Sequence, residues 1–152
     1  MMTPRFKKIL VPVDGSKASR AAHRLALELA RLHGAELILL YVVDESALQE
    51  LVRLSGHDRP CLVPELKKSG DAMLTALAQE ARQTGTPVRT KLRQGLPEEV
   101  IMQVAGEDGV DVIIMGKIGG KGHRRSLLGS VTERVLEATD LPVMVVTPPP
   151  GD

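Results

Sequence analysis

Four residues carry the clearest chemistry in this chain. Gly116, Gly119, Gly129 and Ser130 follow the apolar run Val110-Asp111-Val112-Ile113-Ile114-Met115 and are spaced Gly-x2-Gly-x9-Gly-Ser. A buried strand, a glycine-rich segment and a helix start in that order suit phosphate. Glycine lets backbone approach a ligand, and the first N–H groups of a helix have no partner inside it. The segment also carries Lys117, Lys121, Arg124 and Arg125, with no acidic residue from Gly116 through Gly129. Such a basic run is either a solvated loop or an attraction for anions, felt over roughly 8–10 Å at physiological salt.

Two well-known phosphate loops are excluded by single residues. A Walker A loop ending at Gly120-Lys121 requires glycine at 115 and a hydroxyl residue at 122, where Met115 and Gly122 stand. The dinucleotide pattern Gly-x-Gly-x-x-Gly begun at Gly120 meets Arg125 at its last position. The first strand–helix turn, where that pattern usually lies, holds Asp14-Gly15-Ser16.

The elements that must position these residues alternate along the chain. Residues 8–13 read as a buried strand. Residues 16–33 read as a helix capped by Ser16 and ended by Gly34, with Ala18, Ala22, Leu25, Leu29 and Leu32 on one face. Residues 36–43 form a second strand. Residues 44–63 read as a short helix followed by a loop, and Pro64 opens a helix with the stripe Leu66, Gly70, Met73, Leu74, Leu77 and Ala81. Pro87 to Leu92 alternates like an edge strand. Pro97 opens a helix facing inward with Val100, Ile101 and Val104; residues 110–115 and 141–146 are strands, with a helix marked by Leu128, Val131, Val135 and Leu136 between them. Apolar strands joined by helical crossovers predict a single α/β domain over residues 1–152. Its fold is a doubly wound five-stranded parallel sheet of order 3-2-1-4-5, with a frayed Pro-rich tail over 147–152. The switch point then lies between strands one and four, beside residues 13–16 and 115–119.

Composition narrows the rest. The 152 residues carry 20 basic and 19 acidic side chains, so nothing calls for nucleic acid or an anionic membrane. Tyr41 and Phe6 are the only aromatics, leaving no stacking platform for single strands. Cys61 is the only cysteine, which excludes an internal disulfide and fits a cytoplasmic protein; it reads as a small apolar residue near a loop. His23, His33, His57 and His123 show no metal-ligand spacing.

Taken in order, Lys8 to Ser16, Leu40-Tyr41-Val42-Val43-Asp44, Met115-Gly116 through Ser130, Leu127 to Val135 and Leu141 to Val146 resemble the universal stress protein family, in its ATP-binding branch. The resemblance covers nearly the whole chain. It implies a Rossmann-like fold of the adenine nucleotide alpha hydrolase-like kind and ATP as ligand, with or without Mg2+. It implies that Asp14 meets ribose or a phosphate-bound metal; a plain turn residue is the alternative. It implies that Val42 packs on adenine beside Pro12 and Val13. Met115, Gly116, Lys117 and Gly119 would lie along ribose and phosphate, and Gly129, Ser130 and Val131 would donate to the phosphates; a bare N-cap is the alternative for Ser130. Many members of that family carry a small hydroxyl residue and then a basic one after Met-Gly, whereas this chain has Lys117-Ile118. The resemblance further implies a twofold dimer through strand 142–146.

No nucleophile–base pair and no telling carboxylate dyad is visible, so binding rather than chemistry is the expectation, with slow ATP hydrolysis at most. Three readings stay open: a regulatory ATP-binding protein, a weak ATPase, and a nucleotide-free dimeric interaction module.

Overall fold

The computed structural model describes residues 6–117 and 128–150. Its elements are β1 (Lys8–Val13), α1 (Lys17–His33), β2 (Glu36–Asp44), α2 (Glu45–Ser55), α3 (Arg59–Gln83), β3 (Val88–Gly95), α4 (Pro97–Asp108), β4 (Val112–Gly116), α5 (Ser130–Ala138) and β5 (Val143–Val146). All five strands are parallel, in the order β3-β2-β1-β4-β5. The order read from the sequence is therefore the order observed.

The strands are apolar on both faces because both faces are covered. Ile9, Val11, Leu37, Leu39, Val112 and Ile114 point to one side and pack with Ala22, Ala26 and Ala30 of α1 and with Leu74 and Ala78 of α3. Leu10, Ile38, Leu40, Ile113 and Met115 point to the other and pack with Val100, Ile101 and Val104 of α4 and Val135 of α5. This is the period-2 alternation of a strand repeated in register across the sheet.

Three local readings are corrected. Pro64 does not open a helix. α3 begins at Arg59, where the Asp58 carboxylate accepts the Cys61 N–H at 3.2 Å, and Pro60 supplies the first-turn proline. Pro64 lies inside that helix, one turn later, where the carbonyl left unpaired by its missing N–H belongs to the exposed Pro60. Cys61 accordingly sits in a helical first turn and is exposed. On α1, Leu32 is 81% exposed, because the side facing the sheet is built instead from the small residues Ala18, Ala22, Ala26 and Ala30. On α5, Val135 is buried while Leu136 is exposed.

Among the described residues no helix is long and apolar enough to cross a membrane.

Candidate functional site

A cavity of about 670 Å³ opens at the carboxyl ends of the strands. It lies over β1, β2 and β4, at the point where the connections from β1 lead to opposite sides. That is where doubly wound sheets hold their ligands.

The first wall comes from β1 and its turn. Pro12, Val13 and Asp14 line the cavity. Gly15 adopts φ +84°, a conformation that favours glycine, and lets the chain reverse into α1. Asp14 is exposed, and its Oδ1 accepts the Ser16 N–H at 2.9 Å. Ser16 in turn caps α1, its hydroxyl accepting the Ser19 N–H at 3.1 Å. Asp14 thus shapes the turn, as one of its two readings from sequence has it, and is among the residues that line the cavity.

The second wall comes from β4 and α5. Met115 and Gly116 line the cavity from the end of β4, and Gly129, Ser130 and Val131 from the start of α5. The two ends of the glycine-rich segment meet: Gly129 N–H donates to the Lys117 carbonyl at 3.0 Å, and Lys117 N–H donates to the Val146 carbonyl at 2.8 Å. Thr132 adds a bond from its hydroxyl to the Gly116 carbonyl at 3.1 Å. Gly129 is the N-cap of α5 and offers no side-chain oxygen, so Ser130 is the first helical residue and the bare N-cap reading of it does not hold. α1, α2 and α3 are each closed by a Ser or Asp side chain; α4 and α5 are not. The first residues of α5 line the cavity, so its unpaired N–H groups and positive dipole end lie at the cavity's edge. Lys117 is held by its backbone and does not line the cavity, and Gly119 lies outside the described residues.

The third wall, from β2 outward, supplies residues that sequence reasoning missed. Val42 was expected, and Tyr41, Asp44, Glu98, Ile101 and Arg134 join it. Asp44 ends β2 and caps α2, its Oδ1 accepting the Ser46 and Ala47 N–H groups at 2.9 and 3.3 Å. Tyr41 lies on the α1/α3 face and is lodged against Gly70 of α3, where a Cβ would run into the Tyr41 ring and come within 3.0 Å of Leu92. Burial, and then the charge of Asp14, hold the Tyr41 phenol above its usual pKa of 10. Glu98, in the first turn of α4, accepts from Arg134 of α5 at 3.3 Å. Only an acid following Pro97 hinted at it. Among the described residues no group of three His, Cys, Asp or Glu side chains could hold a metal ion.

Comparison with known proteins agrees with this geometry. Residues 5–147 match the model of the universal stress protein family. The chain is 37% identical over 145 residues to the universal stress protein MJ0531 of Methanocaldococcus jannaschii, covering 95% of this chain and 84% of that one. The structure of the protein MJ0577 superposes with a TM-score of 0.82 at 32% identity, covering 94% of this chain and 96% of that one; MJ0577 is a universal stress protein of the same archaeon. A more distant likeness, of fold alone, is to the universal stress protein of Archaeoglobus fulgidus solved in complex with dAMP, with a TM-score of 0.65 at 22% identity over 93% of this chain and 98% of that one. A doubly wound sheet in this order, a cavity at its switch point and a sequence match over almost its whole length place this chain in the universal stress protein family.

Proposed function

We propose that this protein binds ATP in the cavity at the sheet's switch point and acts through it as a regulatory, homodimeric protein of stress adaptation. The observation that carries the reading is the start of α5. A glycine N-cap turns an uncapped helix N-terminus into a cavity opposite Asp14, which is a site for phosphate. Gly129, Ser130 and Val131 donate to the phosphates. Asp14 accepts from ribose or holds a phosphate-bound Mg2+, and Met115 and Gly116 form the floor. Val42 packs on adenine, with Pro12 and Val13 beside it. The proposed roles of Lys117 and Gly119 along the phosphates rest on the family pattern alone.

Mass spectrometry of nucleotide released from purified protein, followed by titration calorimetry, tests this. ATP should bind. Ser130→Ala and Asp14→Asn should each weaken it about tenfold, the loss of one hydrogen bond to a charged group. Asn is chosen because it keeps an acceptor for the Ser16 N–H. Protein that neither carries nor binds any adenine nucleotide overturns the proposal. ADP release well above background, abolished by both substitutions, would make the protein an ATPase instead.

A further inference from the structure

α1 and α3 share one apolar cluster on the same face of the sheet, and the seam between them runs up to the cavity. At the cavity end, Met73 of α3 packs on the β1–α1 turn: a Cβ at Gly15 would come within 2.9 Å of its Cε. Two turns further along α3, Glu80 stands beside His23 of α1, with Oε1 3.9 Å from Nε2.

His23 is a polar residue in an apolar place. It is 1% exposed, and both ring nitrogens are buried without a hydrogen-bond partner among the described residues. A leucine would fill such a place with no polar atom to satisfy. Glu80 is the charged group that faces it from α3; it is half exposed and too far away to accept a hydrogen bond. β1, β2, β4 and β5, beneath α1, present apolar side chains to the cluster, with Tyr41, at the cavity, as their titratable group. Arg24 follows His23 on α1 itself. Burial lowers the pKa of the ring, Glu80 partly offsets this and Arg24 adds to it, so the packed seam holds His23 neutral.

A proton on the ring makes both nitrogens donors, with no acceptor in place for either. The imidazolium is satisfied by water entering the seam or by Glu80 drawn inward, and either rearranges the contact of α1 with α3. Ser19 carries that movement to the cavity. It lies one turn before His23, is 5% exposed and lines the cavity, and its hydroxyl accepts the Asp14 N–H at 3.3 Å. We propose that His23 is an acid switch on the cavity: taking up a proton, it loosens α1 from α3 and with it the turn that carries Asp14, so that the cavity holds its ligand less tightly in acid. The closed seam is complete above the unfolded value of 6.5 and is lost as pH falls below it. The switch rests on the nucleotide reading for its ligand and adds the proton as a regulator of the same site.

Hydrogen exchange read by mass spectrometry on the ligand-free full chain, at pH 7.5 and 5.5 and corrected for intrinsic rates, tests it. Wild type should lose protection over residues 15–30 and 70–81 at pH 5.5, by up to about tenfold, the limit for one proton over the unit below 6.5. His23→Leu and His23→Gln, which cannot take up that proton, should keep theirs. Calorimetry with ATP adds a second arm. Because phosphates titrate near this range, the quantity read is the pH 7.5 to 5.5 affinity ratio of wild type over that of His23→Leu, expected above about twofold. Wild-type protection that does not change with pH, or variants that lose it equally, overturns the switch and leaves nucleotide binding standing. Lost protection with equal affinity ratios breaks the link to the cavity and overturns it too. Protein that binds no ATP at either pH overturns the nucleotide reading, and exchange over residues 14–19 then decides whether the switch reaches the turn.

Discussion

Gly116 carries a packing constraint that its reading from sequence does not include. Read as sequence, it is a glycine that lets a ligand come close. In the structure, a Cβ there would sit 2.7 Å from both the carbonyl carbon and the Cβ of Ala18 and 2.9 Å from Ser19 N. The glycine is first of all what lets α1 lie against the end of β4, and it frames the cavity as a consequence. Gly116→Ala should therefore destabilise the fold by about 1–3 kcal/mol, the usual range for overpacking, without any ligand present. A urea midpoint unchanged from wild type would contradict this. Gly129 is the N-cap of α5, a place that the sequence reading leaves to Ser130, and it has no side chain to engage the first α5 amides. Tyr41, Asp44, Glu98 and Arg134 were not legible as site residues. Each sits on an element whose local pattern is fully explained by packing, capping or solvation, and only the crossing of α4, α5 and β2 gathers them.

At the scale of elements, the glycines and prolines marked most boundaries: Gly34 after α1, Gly85 after α3, Pro97 at the start of α4. The α2–α3 region was misread because Asp58-Arg59-Pro60 and Pro64 offer the same start signal twice, and sequence alone does not say which one has a capping carboxylate engaged. The packing of α1 on α3 also hides a titratable group. His23 is 1% exposed, neither ring nitrogen has a hydrogen-bond partner among the described residues, and the Glu80 carboxylate of α3 lies 3.9 Å away. Burial lowers its pKa from 6.5, Glu80 partly offsets this, and Arg24 adds to it. The folded state thus holds the proton less well than the unfolded chain. Stability contributed by neutral His23 is complete above the unfolded value of 6.5 and is lost as pH falls below it. The loss can reach at most about 1.4 kcal/mol per pH unit. Urea midpoints at pH 7.5 and 5.5 should separate more for wild type than for His23→Gln, and equal separations would exclude His23 as the cause.

The molecule as a whole has two sheet edges, and they are treated differently. On β3, Arg89, Lys91 and Arg93 alternate along the strand and pair with Glu36, Glu107 and Asp108, a charged edge that resists pairing with another sheet. On β5 the strand is Val143-Met144-Val145-Val146, partly exposed at every position and without a charge. The dimer we propose uses that edge. Val145→Lys should shift the protein toward monomer in sedimentation, with far-UV circular dichroism unchanged, and a dimer mass that stays constant would remove β5 as the interface. The strand order and the position of the cavity were readable from sequence because alternating apolar runs and right-handed crossovers leave few topologies. The chain also has no tryptophan and a single tyrosine, and α3 keeps a glycine at position 70 so that this one ring can reach the cavity beside Asp14. Tyrosine emission from this protein is therefore the signal of one residue at one site, an optical reporter of cavity occupancy that needs no label.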